Sequence, residues 1–166
     1  MDSFIDAKGH LDLSSCSTGM HYDMFKVMDL SRQYYFSNLQ NLVAWDGLPI
    51  IGMDSEKKWH HLICKHGKDK SSINPILDID LDRVMRLPVI KRVVTGQLDI
   101  DIYKQVNRKG NVDKVQVVVS GIEQDYLVSL GFFGDHYVLR SAYHAGSRYI
   151  HSKVIPSGEL ICQLRN

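Results

Sequence analysis

The segment WHHLICKHG, residues 59–67, brings His60, His61 and His66 together with Cys64 and Lys65. Imidazoles suit proton transfer near neutrality because their unperturbed pKa is about 6.5. A second concentration, HYVLRSAYH at 136–144, supplies His136, Arg140 and His144. Histidines that move protons beside a guanidinium that holds a phosphate are the parts needed to cleave RNA. One base takes the proton of the ribose 2′-hydroxyl, one acid protonates the leaving 5′-oxygen, and Arg or Lys stabilises charge on the phosphorane-like transition state. The 2′-hydroxyl is itself the nucleophile, so neither a catalytic serine nor a metal is demanded, and no cofactor is implied.

Blander readings stand beside each of these. His60 and Cys64 at i, i+4 would supply half a zinc site, but no second pair stands at ligand spacing. His66 aligns with an apolar stripe and reads as a capping or packed residue. His61 with Lys57 and Lys65 fits a solvated helix face as well as an active site. Arg140 could instead pair with Asp99, Asp101 or Glu123, and Ser141 and Tyr143 could be hydrogen-bonding core residues. A serine hydrolase is disfavoured because there is no GxSxG elbow. No glycine-rich phosphate loop follows a strand.

These residues must be positioned by elements that the apolar pattern reveals. Residues 1–19, rich in Ser, Asp and Gly, read as an irregular arm that takes its order from docking. From Met20 to about Leu39, Met24, Val27, Met28, Tyr34, Tyr35 and Leu39 recur at helical intervals, giving one helix or two broken near Ser31. LVAW and LPIIGM flank Asp46-Gly47 and predict a short hairpin. Asp54 or Ser55 can cap a helix start and Gly67 its end, so WHHLICKH is expected to be helical. On it Trp59, Leu62 and Ile63 share one face, with Lys57, His61 and Lys65 opposite. His61 is then expected to matter more than His60 or His66. DIDLDRVMRLPVIKRVVTG continues the helical pattern, with Pro88 starting, kinking or ending a turn.

After Gly96 the period becomes alternating. LDIDIYKQV places Leu98, Ile100 and Ile102 on one face, and KVQVVVSG, DYLVSLGFF and HYVLRSAYH follow as strands. Alternation along the last puts His136, Val138, Arg140, Ala142 and His144 on one side, beside Gln116 and Ser120 or their neighbours. Tyr137, Leu139, Ser141 and Tyr143 take the other. YIHSKVI and ELICQL flank PSG as an extra hairpin or a C-terminal extension. The expected fold class is α+β: a single domain, 1–166, whose N-terminal helices (20–96) pack on one face of a four- or five-stranded C-terminal antiparallel sheet (97–166).

Composition bounds the reading. The 166 residues are 44% hydrophobic and 23% charged, which suits a soluble globular chain. Twenty basic and nineteen acidic side chains leave a formal charge of +1, so attraction to RNA must come from local charge. Cys16, Cys64 and Cys162 are odd in number and lack CxxC spacing, which points away from a disulfide framework and toward a reducing, cytoplasmic site of action. No leader pattern and no apolar run of about 20 residues is visible, so no membrane is expected as a partner.

YVLRSAYHA resembles the RTAY/RSAY strand near the end of the phage and polymorphic-toxin branch of the barnase, EndoU, colicin and RelE-like ribonucleases. WHHL is similar to the F-x-H-L helix before the sheet in some of those domains. The resemblance spans roughly residues 30–145; the arm before Met20 has no counterpart in it, and the tail after His144 is long. It implies a metal-independent, toxin-like endoribonuclease leaving a 2′,3′-cyclic phosphate on RNA, transfer RNA being one candidate, with a cognate immunity or antitoxin protein as partner. His61 then falls on the family's histidine as acid or base, and Arg140, Ser141 and Tyr143 on the late-strand motif. Lys65 would join Arg140 as a phosphate stabiliser, His136 or His144 would be the second proton carrier, and Lys57 and Lys58 would contact RNA. The alternative class is a non-catalytic binding protein, an immunity, antitoxin or phage inhibitory partner, which the near-neutral charge favours.

Overall fold

The computed structural model describes residues 4–65 and 78–166. Capping begins the main helices where the sequence offers side-chain oxygens. Asp23 accepts from the amides of Phe25 and Lys26 at the start of α1, Met24–Asn38. Ser55 does the same for Lys58 at the start of α2, Glu56–Ile63, each satisfying amides that have no partner inside the helix. α1 is one helix. Ser31 does not break it but sits buried within it, its hydroxyl donating to the Met28 carbonyl (2.8 Å) and accepting from the Trp59 indole (3.2 Å). Among the described residues two further helices follow before the sheet, α3 at Leu81–Met85 and α4 at Leu87–Val94, with Pro88 in the first turn of α4, where a missing amide hydrogen costs nothing.

By its contacts the chain forms two compact units, Met1–Gln40 with Met53–Val89, and Asn41–Gly52 with Ile90–Asn166. In the first, the arm is better ordered than its composition suggests. Leu11, Leu13 and Cys16 are buried, the Leu11 amide donates to the Met85 carbonyl (2.8 Å), and Ser17–Thr18 (β1) pairs with His21–Tyr22 (β2). Trp59, Leu62 and Ile63 are buried together, as their helical spacing predicts.

The second unit holds a six-stranded sheet of order β3-β7-β6-β5-β4-β8. Its strands are β3 (Ile50–Ile51), β4 (Ile100–Val106), β5 (Val112–Val119), β6 (Tyr126–Phe132), β7 (Tyr137–His144) and β8 (Glu159–Leu164). All neighbours are antiparallel except β3 and β7. β3 leaves the expected hairpin, which is present as a Val43–Pro49 bridge and an Ala44–Leu48 turn with Gly47 at φ +89°. The fold is therefore α+β, helices first and then a mostly antiparallel sheet, with one or two strands more than expected.

Of the two alternatives for the tail, the hairpin does not form. YIHSKVI is helical, running from Ser147–Tyr149 through a π-helical turn, Ile150–Val154, to Ile155–Ser157. Its buried residues, Ile150 and Val154, are four apart and meet Tyr103, Val118 and Leu127 on one face of the sheet. Burying such side chains contributes about 1.5–3 kcal/mol each, which selects the helical period over the extended one. Strand β8 then returns along β4 as one edge of the sheet.

Candidate functional site

The informative feature is a bulge. The β6–β7 register shifts between Ser129 and Leu130: Ser129 faces Ser141, whereas Leu130 faces Leu139. Arg140 is the extra residue. An extra residue reverses which side chains share a face. The bulge corrects the simple alternation: Ala142 and His144 join Tyr137 and Leu139 on one face, while Ser141 and Tyr143 lie with Arg140 on the other. His144 is exposed, on the face opposite Arg140.

Arg140 has a prepared seat. A β-carbon built on Gly131 would stand 2.7 Å from Arg140 Nε and 2.9 Å from Nη2, so the guanidinium occupies the space a side chain would fill. It is exposed and makes no ion pair among the described residues, neither with Asp101, which pairs with Arg165, nor with Asp99 or Glu123. Beside it runs a polar cross-strand row: Tyr103 opposite Gln116, Gln116 opposite Ser129, Ser129 opposite Ser141. Gln116 and Ser129 are buried, and Ser141 is half-buried. The Gln116 amide nitrogen lies 3.4 Å from Gln105 Oε1, and Gln105 in turn donates to Ser157 Oγ (2.7 Å), tying the row to the helical segment. Gln116 Oε1 is buried without a hydrogen-bond donor among the described residues. Lys114, half-buried, stands opposite Gly131.

His136 lies one step beyond β7 and rejoins this face. The amide of Phe133 donates to the His136 carbonyl (3.0 Å), extending the ladder past the Phe132–Tyr137 pair. The His136 ring stacks on Phe133 with centroids 5.1 Å apart and planes 6° apart, and Arg140 Cζ lies 6.0 Å from the same ring. His136 Nδ1 is 2.6 Å from Asp135 Oδ1, and this hydrogen bond is the main reason the Asp135 carboxyl sits below the usual carboxylate range. With Nδ1–H donated to the carboxylate, Nε2 is the nitrogen left to accept a proton.

The other sequence candidates fall in the first unit. His61 is half-buried on α2, and Lys57 (exposed) and Lys58 (half-buried) are on its first turn. Lys65 is not on that helix. α2 ends at Ile63, Cys64 is extended and bridges Ile79, and the Lys65 amide donates to the Asp78 carbonyl (2.9 Å). Pairing with a neighbouring segment captured the chain one turn early, so the expected Lys57, His61, Lys65 face stops at His61. The expected cap at Gly67 and the packing of His66 lie outside the described residues. Cys64 is fully buried, and burial, with Asp78 nearby, pushes its thiol up to about 11, a poor thiolate donor for zinc. Among the described residues no three His, Cys, Asp or Glu side chains gather as a metal site.

Gln116 was legible as a neighbour of Arg140, but Ser129, Gly131, Lys114 and Phe133 were not, because cross-strand register names them. The sequence does carry one signal for this face: from His136 to Gly158 the chain has no Asp or Glu, while Arg140, Arg148 and Lys153 are all present and exposed. A near-zero total charge hides this local excess.

The fold and this face define an α+β protein with a cationic, partly buried polar surface on its sheet. No protein-family model, curated protein or solved structure matches the chain. No helix among the described residues is long and apolar enough to cross a membrane.

Proposed function

We propose that the protein is a metal-independent endoribonuclease that cleaves RNA by attack of the ribose 2′-hydroxyl. The observation that carries this reading is Arg140: an exposed guanidinium with no ion-pair partner among the described residues, laid against Gly131, with Cζ 6.0 Å from the ring that His136 stacks upon. Arg140 would hold the scissile phosphate, where a charged hydrogen bond is worth about 1.5–3 kcal/mol. His136 Nε2, oriented by Asp135, would take the 2′-hydroxyl proton. The 2′-oxygen bonds to phosphorus, the bond to the 5′-oxygen breaks, and a proton is delivered to that oxygen, leaving a 2′,3′-cyclic phosphate and a 5′-hydroxyl. Ser141, on Arg140's face, would orient the phosphate, whereas Tyr143 on the same face packs against the apolar cluster of Ile150 and Val154; Arg148 and Lys153 would add charge for flanking phosphates. A toxin-like role with a cognate immunity or antitoxin protein follows from the same reading.

The test is incubation of the purified chain with total RNA in EDTA, with wild type beside Arg140→Ala, His136→Gln and His61→Ala. Loss of a general acid or base costs about 10² to 10⁴ in rate. Intact RNA at enzyme excess would end the catalytic reading. A second reading, a protein-binding module, is favoured by β8. It is one of the two edges of the sheet and exposes Leu160 and Ile161, at 44% and 47%, where an added strand could pair. Expression separates the two: a ribonuclease arrests its host unless Arg140 or His136 is replaced, whereas a binder is tolerated and copurifies with its partner.

A further inference from the structure

Phe133 is a large apolar ring at the tip of the β6–β7 turn, 54% exposed. Nothing in the proposed cleavage chemistry uses it. Exposure of so much aromatic surface costs solvation unless something covers it, and one face is already organised. His136 stacks on it nearly parallel, and Asp135 fixes the His136 ring through Nδ1. Gly134, at φ +91°, makes the turn that holds Phe133 and His136 side by side. Arg140 Cζ, 6.0 Å from the ring, stands at the outer limit of a cation–π contact, so its guanidinium is not committed to Phe133.

We infer that Phe133, backed by His136, is a stacking platform for one unpaired nucleobase of RNA, adjacent to the phosphate that Arg140 holds. The inference rests on the ribonuclease reading and names its substrate class: single-stranded or looped RNA. An aromatic face accepts any base because every base has a π-face, and the contribution of such stacking is sequence-tolerant. A base inside a duplex is already stacked on both sides and cannot use the platform. A basic surface alone, by contrast, would bind duplex and single strand through their phosphates alike.

The experiment measures fluorescence anisotropy of the full chain with a short, labelled, fully 2′-O-methylated RNA, which cannot be cleaved. Its partners are the same oligomer with one abasic position, the same sequence as a duplex, and the variants Phe133→Ala, Phe133→Trp and Arg140→Ala. Single-strand binding should exceed duplex binding. Phe133→Ala should weaken it by roughly 5- to 150-fold, the range of stacking per base, and Phe133→Trp should restore it. The abasic oligomer, scanned through each position, should lose affinity for wild type at one position and lose nothing further for Phe133→Ala. Melting temperatures of the Phe133 variants should match wild type, since the ring is exposed. Equal binding by Phe133→Ala, or preference for the duplex, overturns the platform while leaving the cleavage reading in place if Arg140→Ala still abolishes binding. No RNA binding by wild type overturns both.

Discussion

Replacing Gly131 with alanine separates the seat of Arg140 from the stability of the sheet. The new methyl group would meet Nε, Nη2 and Cζ of Arg140 at 2.7, 2.9 and 3.1 Å, all inside van der Waals contact. These atoms end a flexible side chain, so the guanidinium moves and the backbone does not. Gly131 does not have a positive φ, so alanine suits the strand and should favour folding by about 0.5–1 kcal/mol. Displacing the guanidinium removes up to one charge-assisted hydrogen bond of about 1.5–3 kcal/mol. At about 1.36 kcal/mol per tenfold, that is roughly a 10- to 150-fold loss in RNA cleavage or affinity. Paired thermal melts and cleavage assays in EDTA should therefore show equal or higher stability with falling activity. Unchanged activity in Gly131→Ala, with Arg140→Ala inactive, would refute the claim that the guanidinium acts from this seat. A large drop in melting temperature would refute the claim that only the side chain yields.

Two further outcomes follow from buried hydrogen bonds. Ser31→Ala deprives the buried Trp59 indole of its acceptor and should cost about 1–3 kcal/mol, read as a lowered denaturant midpoint; an unchanged midpoint would show the bond to be dispensable. Tyr137, buried and donating to Asp46 Oδ2 at 2.6 Å, has its phenol pushed well above the usual range by burial first and Asp46 second. The raised value means that its stabilisation is complete below about pH 10, the unfolded pKa, and declines as pH rises toward the folded value, by up to about 1.4 kcal/mol per pH unit. Tyr137→Phe should thus be less stable than wild type near pH 7, with the gap narrowing between pH 9 and 11; a gap independent of pH would refute the assignment.

Local chemistry made much of the fold legible. Ser55 and the Trp59, Leu62, Ile63 spacing define α2, Asp46-Gly47 defines a turn, and the alternation of Ile100 and Ile102 defines β4, since capping, turn conformation and periodicity are properties of adjacent residues. The candidate site was legible in its residue types and only partly in its grouping. Arg140 and His136 do share a face, but His144 lies on the other, and Ser141 and Tyr143 lie with Arg140. One unpaired residue in β7 decides this, and whether a strand bulges depends on how its partner packs, not on its own sequence. Ile150 and Val154 fit either period until the face formed by Tyr103, Val118 and Leu127 selects a helix. Lys65 leaves the helix because Asp78 and Ile79 pair with the chain after Ile63. The sequence by itself determined most of the elements and the reactive groups available; tertiary pairing decided where some elements end, which period the tail takes and which groups meet, because register is a property of two segments at once.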